Sequence, residues 1–453
     1  MILFGVTLIA CFLVLPLEAR EVISLAGKWR FQLDAGRVGV KQEWSKRELN
    51  EMISLPGTTD EAKKGMRNTE RVDDRLSRPW RWVGAAWYQR EVEIPPRWQG
   101  KRITLTLERT KDVRVWVDGQ YCGWNDLLSA PQVYDLTRVM KPGKRQLTIC
   151  VDNSRVPPTG PSHAIDERTQ TNWNGIVGRI ELQATEPVWI EDVQVYPDVE
   201  KRQATVRVVV GNITGQAASG ELLLRAESTN VKQTQQYAAV RVPLITTGER
   251  TVAEHVWKPE QPVPLWNEFE PALIAMGVGM TATAGNDKHV DVAIRRFGMR
   301  EFSRDRNLLL LNNKRVFLRG RIDCCFYPLT GYPPMDAEGW RKVLGQLKDW
   351  GLNHVRFHTW TPPAAAFEAA DELGFYFQVE LPNKRSAFVA GGQDDPNAAK
   401  HNIDYLAGED GDTKVTLYDY ALRDSEAVMR CYGNSPSFAM YTLGNELGRR
   451  PAM

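Results

Sequence analysis

The chain carries almost no excess of either sign of charge. Lysine and arginine number 58 against 56 aspartate and glutamate residues over 453 positions, which gives a formal net charge of +2. So small a net charge offers no electrostatic attraction to a polyanion or to an anionic bilayer. The sequence therefore predicts neither a nucleic-acid partner nor a membrane-surface partner.

Cysteine is also scarce. Of six cysteines, Cys11 lies in the N-terminal apolar segment, and the others are Cys122, Cys150, Cys324, Cys325 and Cys431. These five are odd in number, and their spacings match neither a disulfide framework nor a zinc site. We predict free, mostly buried thiols and no metal site.

The long apolar run is confined to the N-terminus. Residues 2–17 are almost wholly apolar and are followed by Glu18-Ala19-Arg20. This pattern predicts a secretory signal peptide over residues 1–19, and the run is too short for a comfortable membrane span. No basic residue precedes it, so either the n-region is incomplete or the true start lies upstream. A lipobox-like Leu8-Ile9-Ala10-Cys11 is less favoured, because the apolar run continues past Cys11. We expect a secreted or periplasmic protein with no membrane contact beyond this segment.

Most of the remaining chain has the pattern of β-structure. Short alternating runs separated by Gly, Pro and Asp turns fill residues 20–186, and a second such region spans residues 187–296. This spacing predicts two β-sandwiches, the second of immunoglobulin-like size. Fifteen tryptophans are spread over the chain. Their rings could stack on sugars or simply fill the cores.

From residue 297 onward, strands alternate with amphipathic helices. Strands are predicted at 316–320, 354–358, 375–380 and 437–443, with helices opening after Asp336, after Pro363 and near Tyr418. This alternation predicts parallel β–α–β units. The apolar faces expected to point inward include Trp340 to Trp350 on the first helix and Tyr418, Leu422 and Met429 on the third. The polar stretch 382–413 predicts an active-site loop.

The last predicted strand is apolar along its length and ends in Gly444-Asn445-Glu446. We expect a strand buried on both faces that places a carboxylate at its C-terminal end, where catalytic groups lie in (β/α)8 barrels. An ordinary polar turn is the alternative. Four β–α units make half of such a barrel and would leave two unpaired sheet edges. We therefore expect the chain to be the N-terminal part of a longer protein.

Several motifs, in this order, resemble glycoside hydrolase family 2, which holds β-galactosidases, β-glucuronidases and β-mannosidases. The resemblance covers nearly the whole chain after residue 20, and it rests on residues 25–34, 87–90, 172–182, 297–300, 318–320 and 445–446. It implies a jelly-roll sugar-binding domain at 20–186, an immunoglobulin-like sandwich at 187–296 and the first part of a TIM barrel at 297–453. The first sandwich would help to position the barrel and could lend a loop to its site.

The resemblance also implies roles for the Asn-Glu pair. Glu446 would be the general acid/base, and Asn445 would contact the 2-hydroxyl of the sugar. Retention of configuration requires a nucleophilic carboxylate about 5 Å from the acid. In the family this nucleophile lies on the seventh barrel strand, beyond residue 453, so the chain as printed is expected to be inactive.

Five further residues are candidates for substrate binding. Arg356 would hold the carboxylates in place, or alternatively pair with a structural acid. His358 would contact a sugar hydroxyl or be a core histidine. Trp360 would form a stacking platform or pack under a loop. Glu380, at the end of its predicted strand, and Asp323, which follows the first predicted strand, would bind hydroxyls.

These features together predict an exo-acting retaining β-glycosidase acting on an oligosaccharide or glycoside, with no organic cofactor and with oligomers possible. A β-galactosidase-like activity is placed first, then β-glucuronidase or β-mannosidase. Residues 321–328 and 358–362 depart from the best-known β-galactosidases on the wall that selects the sugar. The alternatives are a non-catalytic carbohydrate-binding protein and an inactive fragment.

Overall fold

The computed structural model describes residues 20–73, 75–163, 165–167, 172–384, 404–407 and 413–446. The predicted signal peptide and most of the polar stretch 382–413 lie outside the described residues. Within the described part, no helix combines the length and apolarity that crossing a membrane requires.

Two antiparallel sheets enclose the first hydrophobic core. Their strand orders are β10-β9-β12-β7-β2-β3 and β1-β13-β8-β11, with β4 added to β13, while β5 and β6 form a separate pair. Alternating side chains from both sheets, among them Trp29, Leu105 and Ile149, are buried in one cluster, as the period-2 pattern predicts. The strands are β1 Glu21–Ser24, β2 Gly27–Asp34, β3 Glu51–Leu55, β4 Gly57–Thr58, β5 Met66–Arg67, β6 Trp80–Arg81, β7 Ala85–Ile94, β8 Arg102–Arg109, β9 Asp112–Val117, β10 Gln120–Asn125, β11 Gln132–Asp135, β12 Gly143–Asp152 and β13 Gly175–Thr185. Single turns of 3-10 helix lie at Trp44–Lys46 and Pro96–Trp98.

A second pair of antiparallel sheets follows, with its own core. The orders are β14-β15-β18 and β17-β16-β19-β20. Valines of β15 and methionines of β19 meet in this core, which ends at Phe297 and Met299. The strands are β14 Val188–Asp198, β15 Gln203–Asn212, β16 Ala218–Thr229, β17 Val240–Thr246, β18 Arg250–Trp257, β19 Leu273–Ala284 and β20 Asp287–Phe297.

A parallel sheet with helices follows a small antiparallel sheet. The small sheet is β21 Phe302–Asp305, β22 Leu308–Leu311 and β23 Lys314–Arg315. The remaining elements are β24 Gly320–Asp323, α1 Ala337–Asp349, β25 His354–Phe357, α2 Ala364–Leu373, β26 Tyr376–Glu380, β27 Asp404–Ala407, β28 Thr413–Thr416, α3 Leu417–Tyr432 and β29 Phe438–Thr442. Strands β24, β25, β26 and β29 pair side by side, all parallel. The prediction of parallel β–α–β units is therefore confirmed for these strands, within a chain that is mostly β.

The predicted helix boundaries rest on local hydrogen bonds. Asp336 caps α1, because its carboxylate accepts the N–H of Gly339 at 2.8 Å. Thr416 caps α3 in the same way, accepting the N–H of Asp419 at 3.0 Å. Helix α2 ends at Gly374, whose left-handed φ of 75° is the usual helix C-terminal conformation.

The first parallel strand was predicted too early in the chain. Residues 316–319 are not in a strand, and β24 begins at Gly320, which pairs with His354. The apolar residues Val316 and Leu318 pack instead beside the Trp266 cluster, so the local run of apolar side chains marks a packed connection. Asp323 is consequently the last residue of β24, not a residue after it.

Two predicted apolar faces were also partly wrong. Trp350 follows α1 and is 87% exposed, and Tyr418, Leu422 and Met429 of α3 are exposed. The buried face of α3 includes Tyr420 and Asp424 because it packs on the first sandwich, where the Asp424 carboxylate accepts the Ser129 N–H at 3.2 Å. Strand β29 is half-buried over most of its length, so it is not covered on both faces.

Arg109, at the end of β8, joins the first sandwich to the parallel sheet region. Its guanidinium donates to the carbonyl oxygens of Thr361 at 3.3 Å and Pro362 at 2.8 Å, and to the Tyr432 hydroxyl at 3.1 Å. The side chain is buried. A buried cation with this many acceptors fixes how the two regions pack.

Candidate active site

The predicted site residues lie at one edge of the parallel sheet. Asp323 and Glu380 end β24 and β26, His358 follows β25, and Asn445 with Glu446 follows β29. Since all four strands run in the same direction, their carboxyl ends lie at the same edge, and the structure brings these residues to that edge.

Arg356 links two of these strand ends. Its Nε donates to Glu380 Oε1 at 2.5 Å, and its Nη2 donates to Asn445 Oδ1 at 2.9 Å. The Glu380 side chain is 0% exposed, and its second oxygen is buried with no hydrogen-bond partner among the described residues. Arg356 therefore holds a buried carboxylate and the amide of Asn445 in fixed positions.

The turn that carries Glu446 has an unusual backbone. Gly444 has φ 129°, and Glu446 itself has φ 56°, in the left-handed region that non-glycine residues rarely adopt. Asn383 fixes the turn, because its carbonyl accepts the Asn445 N–H at 2.9 Å and its amide donates to the Leu443 carbonyl at 3.1 Å. Glu446 is exposed at the end of this turn.

Replacing Gly444 with alanine tests how tightly this turn is held. A Cβ at Gly444 would lie 2.1 Å from the Asn383 carbonyl oxygen, the same atom that accepts the Asn445 N–H. We expect Gly444→Ala to destabilise the fold by about 1–3 kcal/mol and to displace Asn445 from Arg356. Denaturant unfolding measures the first effect.

The matched control is Gly345→Ala in α1. A Cβ there meets no atom within 4 Å. This variant should gain about 0.5–1 kcal/mol from helix propensity alone. Equal stability of the two variants would contradict the close approach at Gly444.

The Asp323 carboxylate is bonded by residues close to it in sequence. It accepts Arg321 Nη2 at 2.6 Å, the Cys325 N–H at 2.8 Å and the Tyr327 hydroxyl at 3.3 Å. Burial is the main cause that raises the pKa of Tyr327, and the charge of the nearby Asp323 raises it further. This arrangement makes Asp323 an anchor of the loop after β24, and its predicted contact with a sugar hydroxyl stays a prediction.

His358 lies half-buried beside the Asn-Glu turn. Its Nδ1 is 3.4 Å from Cys324 Sγ, and its ring centroid is 4.7 Å from that of His163. Burial, and then electrostatic interactions with His163, Lys384 and Arg356, lower the pKa of His358 to about 4, while Glu446 opposes this shift. His358 is therefore neutral at pH 7 and within electrostatic reach of Glu446.

Trp360 packs inside the protein, which was the alternative to a stacking platform. The ring is buried, and its Nε1 donates to the Asp323 carbonyl at 3.0 Å. It packs edge-on against Phe357 and Tyr327. A ring enclosed in this way has no free face for a sugar, so the stacking platform predicted at Trp360 is wrong.

His163, which comes from a loop of the first sandwich, was not predicted as a site residue. The Ser162 hydroxyl donates to the Thr359 carbonyl at 2.8 Å, and the His163 N–H donates to the Thr359 hydroxyl at 3.1 Å. The loop therefore sits against the end of β25. Only the expectation that this sandwich could lend a loop pointed to it.

Comparison with known proteins shows what the chain is similar to. Residues 22–186 match the model of glycosyl hydrolases family 2, sugar binding domain. A β-glucuronidase of Paenibacillus borealis is 25% identical over 462 residues, covering 94% of this chain and 68% of that protein. A β-galactosidase of Oenococcus oeni is 20% identical over 447 residues, covering 95% of this chain and 40% of that protein.

Solved structures show the same fold. Bacteroides uniformis β-glucuronidase 2, covalently bound to cyclophellitol-6-carboxylate aziridine, aligns with TM-score 0.72 at 20% identity, over 94% of this chain and 47% of that one. A Ruminococcus gnavus β-glucuronidase in complex with C6-substituted uronic isofagomine aligns with TM-score 0.69 at 19% identity, over 95% and 68%. The chain spans about half the length of the first curated relatives it matches. Residues 22–186 are therefore similar to the sugar-binding domain of glycosyl hydrolases family 2, and the chain as a whole is similar to β-glucuronidases and β-galactosidases.

Proposed function

We propose that the whole protein is an exo-acting retaining β-glycosidase and that this chain supplies its acid/base residue. The observation that carries the proposal is the exposed Glu446, held at the end of β29 on a fixed turn beside the Arg356–Asn445 pair. We further propose that residues 297–446 form the first part of a (β/α)8 barrel, in which such strand ends bear the catalytic groups.

Glu446 would protonate the glycosidic oxygen and later deprotonate water. A glycosidic oxygen is a poor leaving group until it is protonated, so the first step needs an acid and the second a base. Because Asn445 Oδ1 accepts from Arg356, its amide N–H₂ group points away from that guanidinium. This orientation suits donation to the 2-hydroxyl of the bound sugar.

The second carboxylate is proposed to come from a part of the whole protein outside this chain, which spans about half the length of the first curated relatives it matches. Glu380 is a poor substitute, because it is fully buried and already bonded to Arg356. Its Oε2 has no hydrogen-bond partner among the described residues and can accept a hydrogen bond from a sugar hydroxyl, the role that the sequence predicts.

A β-glucuronide is the first substrate to test, ahead of a β-galactoside and a β-mannoside. This order reverses the sequence-based preference for galactose. The departures at residues 321–328 and 358–362 weaken that preference, and the relatives include several β-glucuronidases. Lys384, whose positive charge contributes to the lowered pKa of His358, also suits a sugar that carries a carboxylate.

The test is an assay of the complete gene product on 4-nitrophenyl β-D-glucuronide, β-D-galactoside and β-D-mannoside. We expect turnover of at least one of them, with the β-anomer appearing first by NMR. Release of the α-anomer would overturn retention. Glycan binding without turnover of any substrate would favour the carbohydrate-binding alternative. The proposed location is the periplasm or the outside of the cell, because residues 2–17 have the pattern of an export signal.

A further inference from the structure

Three side chains of the types that bind metal ions lie together beside the proposed active site. They are His163 from the loop of the first sandwich, Cys324 directly after β24, and His358 directly after β25. Each offers a donor atom within 4.8 Å of the other two. Cys324 Sγ and His358 Nδ1 are already 3.4 Å apart.

These separations are close to those that a zinc-type ion requires. With Zn–N near 2.0–2.1 Å and Zn–S near 2.3 Å, tetrahedral geometry places two donor atoms about 3.3–3.7 Å apart. The sulfur–nitrogen pair meets this distance as it stands. The third donor needs to close by about 1 Å, which a turn of an imidazole ring provides.

The surroundings also suit a metal ligand set. His163 is buried, and the other two residues are half-buried. His358 Nε2 is buried and has no hydrogen-bond partner among the described residues.

The nearby charges largely cancel one another. Arg356 is paired with Glu380, and Arg321 is paired with Asp323. A divalent cation held by one thiolate and two neutral imidazoles would add one unit of positive charge to this edge of the sheet. Without a metal ion, the same contacts amount to a weak S–H···N hydrogen bond between Cys324 and His358 beside the packed imidazole rings of His163 and His358.

We propose that His163, Cys324 and His358 bind a borderline-soft divalent cation of the zinc type, with the fourth position open to solvent. Two imidazoles and one thiolate are the donors that zinc prefers. The ion would tie the loop of the first sandwich to the ends of β24 and β25. The sequence predicted no metal site, because these residues lie on three separate segments and meet only in the fold.

The test is Zn²⁺ titration of the protein by calorimetry, with Co²⁺ as a spectroscopic probe. We expect one Zn²⁺ per chain and a cobalt–thiolate charge-transfer band in the near ultraviolet. Cys324→Ser should abolish the band. It should also weaken Zn²⁺ binding by more than about 10–100-fold, which is the usual loss when a residue that only supports a metal ligand is replaced. His163→Gln should weaken Zn²⁺ binding while keeping the thiolate band, because Cys324 is still present.

Controls come from residues of the same type elsewhere in the chain. Cys122→Ser, at a half-buried thiol on β10, and His255→Gln, on β18, should leave Zn²⁺ binding unchanged. Circular dichroism verifies that each variant is folded. Absence of stoichiometric Zn²⁺ binding, or a cobalt–thiolate band that survives Cys324→Ser, would overturn the proposal. Neither readout depends on glycoside hydrolysis, so failure of the metal-site proposal is distinguishable from failure of the proposed function.

Discussion

Replacing Glu446 with glutamine is expected to lower kcat/KM of the complete gene product for a 4-nitrophenyl β-glycoside by about 10²–10⁴-fold, the usual contribution of a general acid. Glutamine keeps the size and the exposed position of the side chain but can neither donate nor accept the transferred proton. Steady-state kinetics on the preferred sugar measures the loss.

The leaving group separates an acid from a residue that only binds. A 2,4-dinitrophenyl glycoside departs without protonation, so its kcat/KM should change little in Glu446→Gln. Its kcat should still fall, since the second step has lost its base. Glu338→Gln, at an exposed glutamate of α1, is the matched control and should retain full activity. Equal losses of kcat/KM on both leaving groups would remove Glu446 from the acid role.

Replacing Arg356 with methionine is expected to destabilise the protein by about 3–5 kcal/mol at pH 7, because it leaves the buried Glu380 carboxylate without its counter-charge. Methionine preserves much of the apolar stem, so the loss reports the ion pair and the hydrogen bond to Asn445. Equilibrium unfolding in urea measures the change, provided that the transition is cooperative.

A double variant shows whether the charge is the cause. Combining Arg356→Met with Glu380→Leu removes both charges and should recover much of the lost stability. Arg250→Met breaks an exposed pair with Glu191 and should cost less than about 1 kcal/mol. If Arg356→Met costs no more than this control, the Glu380 carboxylate does not depend on Arg356.

The sequence was most informative where local chemistry decides the structure. Asp336 caps a helix through a bond three residues away, and Gly374 ends one through its own backbone. Both features can be predicted because their causes lie within one turn. The positions of His358 and Asn445 at strand ends follow from the same alternation of apolar and polar segments, combined with the direction shared by parallel strands.

The sequence was least informative where partners are distant in the chain. The buried face of α3 is set partly by Ser129, which lies 295 residues before Asp424. The apolar spacing of the helix alone therefore adds the exposed Tyr418, Leu422 and Met429 to the buried Ala421, Val428 and Tyr432. His163 reaches His358 only because Ser162 and Thr359 are bonded across two regions of the fold. A local pattern does not contain such contacts.

The bonds of Arg109 also bear on the timing of folding during synthesis. Tyr432 is made 323 residues after Arg109. At about 5–20 residues per second, the ribosome takes roughly 16–65 s to add this stretch. Over that interval Arg109 gains its acceptors in turn: the Leu128 carbonyl first, the Thr361 and Pro362 carbonyls 252 and 253 residues after Arg109, and the Tyr432 hydroxyl last. The full set of acceptors for this buried cation therefore exists only when the last described helix has been made, and until then water completes its hydrogen bonds.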